Sequence, residues 1–172
     1  MAVNEYNLTE NQKAERKLLV TCVNVGTAAE AEWEIEGAGV EESAVEFNPD
    51  TETITDIRGV TETTVNKLEM AQTFDPNTVR GGAKLSAKLD DMIQRNALSE
   101  LSQFEVLLIR GYLGQSGAYT AELHKNCTIT PQSLGGGSYV DMPFDINFSN
   151  DKELGTVDKL KGTITFTPAV SV

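Results

Sequence analysis

Ala31-Glu32-Trp33-Glu34-Ile35-Glu36, then Gly37-Ala38-Gly39, then Ala44-Val45-Glu46-Phe47-Asn48-Pro49-Asp50-Thr51-Glu52, reads as β structure rather than helix. Apolar and acidic residues alternate with a period of two. That period puts Ala31, Trp33 and Ile35 on one face of a strand and Glu32, Glu34 and Glu36 on the other. The expectation is an apolar face in a core and a row of wet glutamates opposite it. Carboxylates two residues apart on one face lie roughly 7 Å from each other, and no Lys or Arg occurs between Thr27 and Ile57 to neutralise them. The Asn48-Pro49-Asp50 turn is expected to reverse the chain into Glu52–Ile57, giving a long hairpin with an acidic end.

The flanking sequence has the same character. Lys17–Val25 is apolar and β-branched, the pattern of a strand covered on both faces. Glu62–Ala71 gives a further strand, and Val106-Leu107-Leu108-Ile109 is short enough for a central one. In the last third, Tyr119, Ala121, Leu123, Cys127 and Ile129 alternate with polar residues, as do Val140, Met142, Phe144, Ile146 and Phe148, and then Ile164 and Phe166. Pro143 cannot donate a ladder hydrogen bond, so its strand is expected at an edge or bulged there. One helix is expected at about residues 83–95, where Leu85, Leu89, Met92 and Ile93 form an amphipathic stripe. The fold class is therefore mainly β: two packed antiparallel sheets of about eight strands, as a sandwich or partly open barrel, with one flanking helix. Residues 1–16 form a polar arm, with a turn after Thr9 where Gln12 sits at capping-box distance, and residues 17–172 form one domain.

The charge distribution excludes several functions. The chain of 172 residues has a formal net charge of -12. Residues 1–60 carry 13 acids against 4 bases, and residues 61–172 carry 13 acids against 10 bases. Nucleic-acid binders need clustered Lys and Arg to displace counterions from phosphate, and anionic membranes need the same. Met1–Lys17 has no signal-peptide core and no apolar run approaches the roughly 20 residues of a membrane span, so a cytoplasmic protein is expected. Cys22 and Cys127 lie inside apolar alternations and are expected to be reduced core residues.

No reaction centre stands out. His124, the only histidine, falls on the polar side of its strand beside Lys125 and is expected to be solvated, with Cys127 on the opposite face. Asp141 and Asp145 would stand about 13 Å apart along a strand, too far for paired-carboxylate glycoside chemistry. Asp90 and Asp91 are read as solvated. The glycines of 111–117 and 135–137 lack the strand, helix and Lys of a phosphate loop and mark turns. The carboxylates of residues 50–56 lack the Gly and terminal Glu of a calcium loop. The reading is no enzyme, no cofactor and no metal.

Lys17-Leu18-Leu19-Val20-Thr21, the Asn24-Val25-Gly26-Thr27 turn, Trp33 ahead of Gly37-Ala38-Gly39, Asn48-Pro49-Asp50-Thr51-Glu52 with Asp56-Ile57-Arg58-Gly59, and Pro143-Phe144-Asp145-Ile146 resemble, in order over residues 17–168, the major tail proteins of tailed bacteriophages. The resemblance implies a tail-tube subunit of two packed sheets and a helix, six copies to a ring, with rings stacked into a hollow tube through which DNA leaves the capsid. It implies as partners further copies of the chain and the other tail proteins (tape measure, tail terminator, distal tail). It also implies DNA in transit without specific binding, and a place in the virion after assembly in the host cytoplasm. On this reading Glu32, Glu34 and Glu36 line the channel, and the hairpin residues Asn48, Pro49, Asp50, Thr51 and Glu52 reach a neighbouring ring. Three alternatives stay open: the inner tube of a contractile injection machine, a soluble ligand-binding β-sandwich such as a carbohydrate module, and a glutamate row that is simply a solvated face.

Overall fold

The computed structural model describes residues 5–114, 117–158 and 163–170; residues 1–4 of the expected arm and 171–172 of the expected domain lie outside them. The chain is mainly β, with one large curled antiparallel sheet, one small sheet and one α-helix. In the large sheet β1 (Leu19–Asn24) lies between β2 (Trp33–Ile35) and β7 (Phe104–Arg110), with Val23 opposite Val106. Next to β7 runs the long β8 (Ala118–Pro131). Beyond it come β9 (Phe144–Asn147), β6 (Ala71–Phe74) and β3 (Val45–Glu46), while β10 (Lys152–Asp158) pairs with the first part of β8 and β11 (Phe166–Pro168) pairs with β10. The small sheet is a hairpin of β4 (Pro49–Thr55) and β5 (Thr61–Leu68).

The sheet curls because β8 belongs to both of its arms. Its first half pairs with β7 and β10 and its last residues with β9, and a bulge separates the two parts. Val106 faces His124 while Phe104 faces Cys127, so one residue of β7 is spanned by two of β8, Lys125 and Asn126. Asn126 has φ 56°, a left-handed conformation that Asn tolerates better than most residues. A bulge inserts one residue and reverses the inward and outward assignment beyond it. Ala121 and Leu123 accordingly enter one core and Cys127 and Ile129 the other, which corrects the single apolar face expected for that alternation.

The larger core lies between the two arms. Val23, Phe104, Val106 and Leu108 meet Phe74, Phe144 and Ile146, and Leu85, Leu89 and Met92 of α1 (Lys84–Gln94) complete the cluster. Phe74 and Phe144 stack at 5.1 Å between centroids. A second cluster on the other side of the first arm contains Val20, Cys22, Leu107, Ile109, Ala121, Leu123, Val157 and Ile164, with Trp33 and Phe166 half-buried against it. The expected helix is present, but Ser86 replaces Ile93 in its buried set and Ile93 is exposed.

The barrel is open along one seam. β1 pairs only with β2 and β7, and β6 only with β3 and β9. Side chains bridge the gap: the Thr21 hydroxyl donates to Gln72 Oε1 at 2.8 Å, and Gln72 Nε2 donates to Ser43 Oγ at 3.1 Å. Pro143 does not mark an edge, since it precedes β9, a strand with neighbours on both sides. The N-terminal arm is pinned to the β7–β8 connection, where the Asn7 amide donates to the Tyr112 carbonyl at 3.0 Å and Tyr6 bridges to Leu113. Its turn closes as the sequence implies, with the Thr9 amide and hydroxyl both donating to Gln12 Oε1.

Candidate assembly surfaces

Alternation in β2 is obeyed, but the glutamate face is not the wet one. Glu34 stands opposite Val23, a residue of the larger core, so Glu32, Glu34 and Glu36 lie on the side of the sheet that carries α1. The Gly81-Gly82-Ala83 approach offers α1 no side-chain cap. Glu34 supplies one from fifty residues away, accepting the Lys84 amide at 2.9 Å and the Leu85 amide at 3.1 Å. These are two of the unpaired N–H groups that every helix N-terminus carries, at the positive end of its dipole. Glu32 forms an ion pair with the Lys84 ammonium. Glu36 is largely buried, and its Oε1 has no hydrogen-bond partner among the described residues. Burial and the neighbouring Glu34 carboxylate push the Glu36 carboxyl up to about 8.

The expected row of free charge is therefore corrected. One glutamate is paired, one caps a helix and one has a buried carboxyl oxygen. On the opposite face Trp33 is half-buried and Ile35 remains 53% exposed, so the apolar side of β2 is only partly covered.

The hairpin also differs from the sequence reading. Asn48, Pro49, Asp50, Thr51 and Glu52 lie at its root and in the first half of β4, paired with β5. Asn48 Nδ2 donates to the Glu69 carbonyl at 3.1 Å there. The reversal comes later, at Asp56-Ile57-Arg58-Gly59-Val60. The Asp56 carboxylate accepts the Arg58 amide at 2.8 Å and the Val60 amide at 3.0 Å, and the Arg58 guanidinium folds onto it. The Val60 amide first, and then Arg58, hold this carboxyl below its ordinary value. Gly59 takes φ 79°, which a side chain would strain.

Every residue of β4 and β5 is exposed, and Ile57 at the tip is fully so. The two faces of this arm have different chemistry. Cross-strand partners share a face, so Pro49 and Leu68, Thr51 and Val65, Thr53 and Thr63, and Thr55 and Thr61 make one surface without a charge. The threonine hydroxyls of the last two pairs bond each other at 3.0 Å. Asp50, Glu52, Glu62 and Lys67 occupy the other face.

The strongest electrostatic cluster is one the sequence did not reveal. His124 is 1% exposed, not solvated, and lies edge-on to Phe148 at 5.0 Å. Its Nδ1 is 3.0 Å from the Ser149 carbonyl and its Nε2 is 3.2 Å from Glu122 Oε2. Glu122 also meets Arg110 at 2.6 Å and Lys152 at 4.0 Å. Burial alone would raise the Glu122 carboxyl, but hydrogen bonds from His124 and Arg110 outweigh it and hold the group down at about 2. The bulge places Cys127 on the same side as His124, correcting the expected opposition, yet its thiol donates to the His124 backbone carbonyl rather than facing the ring. Burial pushes the Cys127 thiol up to about 11 and, with help from Glu36, the Cys22 thiol up to about 12. Both cysteines are free and buried. Asp145 and Asp141 accept hydroxyl bonds from Thr73 and Thr78, each at 2.7 Å, and Asp91 pairs with Arg95.

Among the described residues no group of three or more His, Cys, Asp or Glu side chains could hold a metal ion. Among them, too, no helix is long and apolar enough to cross a membrane. An open cleft of about 440 Å³ at the seam lies between Arg16, Leu19, Val45, Phe47 and Arg110, and Glu41, Glu42 and Ser43 also line it, the Ser43 hydroxyl donating to the Thr73 carbonyl at 2.7 Å. Comparison with protein-family models and with curated protein sequences finds no match to this chain.

Proposed function

We propose that this chain is a structural subunit that assembles into stacked rings forming a tube, the tail tube of a tailed bacteriophage. The observation that carries the reading is the β4–β5 arm, a two-stranded hairpin with every residue exposed. An isolated pair of strands is marginal in water at best, and an arm with one uncharged face is suited to contact with another molecule. The family resemblance supplies the identity of the assembly. Two buried thiols and a buried histidine held between Glu122 and Ser149 accord with a scaffold rather than a catalyst.

Of the three glutamates only Glu32 retains an exposed side chain that can line a lumen, and it is ion-paired. Asn48 to Glu52 serve as the root of the contact arm rather than its tip. The test is electron microscopy of the purified protein at high concentration, where rings or tubes are expected. A chain that stays monomeric at every concentration, and is missing from particles of its source phage, removes the proposal.

A further inference from the structure

The seam between β1 and β6 is bridged by polar groups, and one polar group beside the bridge is unsatisfied. The Glu36 amide donates to the Thr21 carbonyl at 2.9 Å, which sets this residue next to the Thr21, Gln72 and Ser43 relay. Glu36 lines a second seam cleft, of about 340 Å³, together with Thr21, Val40, Gln72 and Phe74. Its Oε1 is enclosed there without a hydrogen-bond partner among the described residues. A neutral carboxyl tolerates such a place far better than a carboxylate, because an uncompensated buried anion is expensive. Once ionised, Glu36 has to acquire a donor or admit water to the seam.

The groups that face Glu36 decide which donor it takes. On β2 its neighbour is Glu34, a like charge already bound to the first amides of α1. β1 places the Cys22 thiol near it, and burial keeps that thiol neutral. From β6 come Gln72 and Phe74, which carry no charge, and the segment after Gly37 brings a further acid, Glu41. Among the described residues the cations lining this cleft are Arg16 and Lys17, from the short 3-10 turn Arg16–Leu18 that leads into β1. Arg16 is engaged: its guanidinium donates to the Leu19 carbonyl at 2.7 Å and to the Ser43 carbonyl at 2.8 Å, and so clasps the two sides of the seam. Lys17 pairs with Glu15 at 2.6 Å, with side chains 75% and 64% exposed. A pair so open to water contributes little, and Lys17 can leave it at small cost.

We propose that Lys17 is a latch for the seam: the ionised Glu36 carboxyl draws the Lys17 ammonium off Glu15 and into the cleft. The N-terminal arm joins β1 at this turn, so the movement ties the arm to the open side of the barrel. Burial and Glu34 push the Glu36 carboxyl up to about 8, so the latch is disengaged in acid and engages as the pH rises through that value. Lys17 is still an ammonium there, since Glu15 moves its titration above the ordinary lysine range. The ion pair recovers part of what the buried carboxylate costs. The device is internal to one chain and stands whether or not the chain assembles.

The experiment uses the dilute full chain at about pH 6 and about pH 9.5, either side of the Glu36 titration. In denaturant titrations Lys17→Met should change the folding equilibrium constant by less than about twofold at the lower pH and lower it about fivefold at the higher. In the Glu36→Gln background the same substitution should have no such effect at either pH, which isolates the coupling between the two side chains. Lys13→Met, which removes an arm charge outside the cleft, should be neutral at both. In the wild-type chain a nuclear Overhauser contact between the Lys17 ε-methylene and the Val40 methyls is expected at the higher pH and not at the lower. A Lys17→Met loss that is equal at the two pH values, persists with Glu36→Gln, or is reproduced by Lys13→Met overturns the latch. A wild-type chain without the Overhauser contact at about pH 9.5 overturns it too, and assigns water to the Glu36 carboxylate.

Discussion

The curled sheet and the β4–β5 arm draw on the same β-branched and apolar residues, and the outcome differs completely. Val106, Leu107, Ile109, Ile129 and Ile146 are fully buried, whereas Ile54, Ile57, Val60, Val65 and Leu68 are all exposed. Both regions have sound strand pairing, so hydrogen bonding does not separate them. What separates them is a second layer. The sheet curls over itself and takes α1 as a cover, while among the described residues no element packs on either face of the arm. The sheet therefore carries its own stability, and the arm keeps its apolar side chains in the open.

The sharpest way to break that contrast is to remove the arm. Replacing residues 50–67 by a short Gly-Ser turn between Pro49 and Leu68 should abolish pelleting and ring formation, yet move the unfolding free energy by no more than about 1 kcal/mol, since surface segments contribute little. A large loss of stability in this variant, measured by denaturant titration, would mean that the arm belongs to the core. Phe144→Ala is the reverse experiment. It opens a cavity against Phe74 and should cost roughly 3–5 kcal/mol in the same titration, with assembly declining only as far as the folded fraction does.

Two buried carboxyls sharpen the picture of the sheet because they act in opposite directions. Glu122 is held low, so its contribution is fully present above the ordinary glutamate range and is lost as the pH falls from about 4.5 towards 2. Glu122→Gln should cost roughly 2–3 kcal/mol at pH 7, since it leaves Arg110 and His124 without their anion, and should flatten the acid limb of the stability curve. Glu36 is raised, so the folded state binds its proton more tightly than the unfolded chain. Stability from this group is complete below about 4.5 and is lost as the pH climbs through about 8. Glu36→Gln should thus stabilise the protein by about 2 kcal/mol at pH 8 and have little effect at pH 4, as read from thermal melts across that range. The smallest effect is expected at the helix entry. Glu34→Ala removes the acceptor of the Lys84 and Leu85 amides and should cost about 1 kcal/mol, with exchange of those two amides faster than in the wild type.

The sequence disclosed what is local. Period-two alternation gave the fold class, the Leu85, Leu89 and Met92 spacing gave the helix, and the apolar settings of Cys22 and Cys127 gave two buried free thiols. Four further features are hidden from the sequence for physical reasons. The bulge in β8 rests on a left-handed Asn126 with no glycine or proline nearby to signal it. Asn48-Pro49-Asp50 and Asp56-Ile57-Arg58-Gly59 are both acceptable turn sequences, and only the pairing of β4 with β5 chooses between them. The glutamates of β2 looked solvated because the groups that take them up, Lys84 and the first amides of α1, come from a helix fifty residues downstream. The burial of His124 is hidden likewise, since the Ser149 carbonyl and Phe148 ring that enclose it come from the turn after β9.

The additional residue in β8 behaves like a frameshift in a message. Upstream of Lys125 the odd-numbered side chains Ala121 and Leu123 belong to one core, and downstream of Asn126 the odd-numbered Cys127 and Ile129 belong to the other. Excising Asn126 would restore a regular count of two steps from His124 to Cys127, so Cys127 and Ile129 would still face Phe144 and Ile146 and what would be lost is the bend at the bulge. The tolerance of this fold to insertion and deletion is then dictated by parity: β8 can give up its odd residue at the bulge, a one-residue change elsewhere in its regular ladder turns the later positions to the wrong core, and the arm can gain or lose matched pairs from its two strands without the core registering the edit.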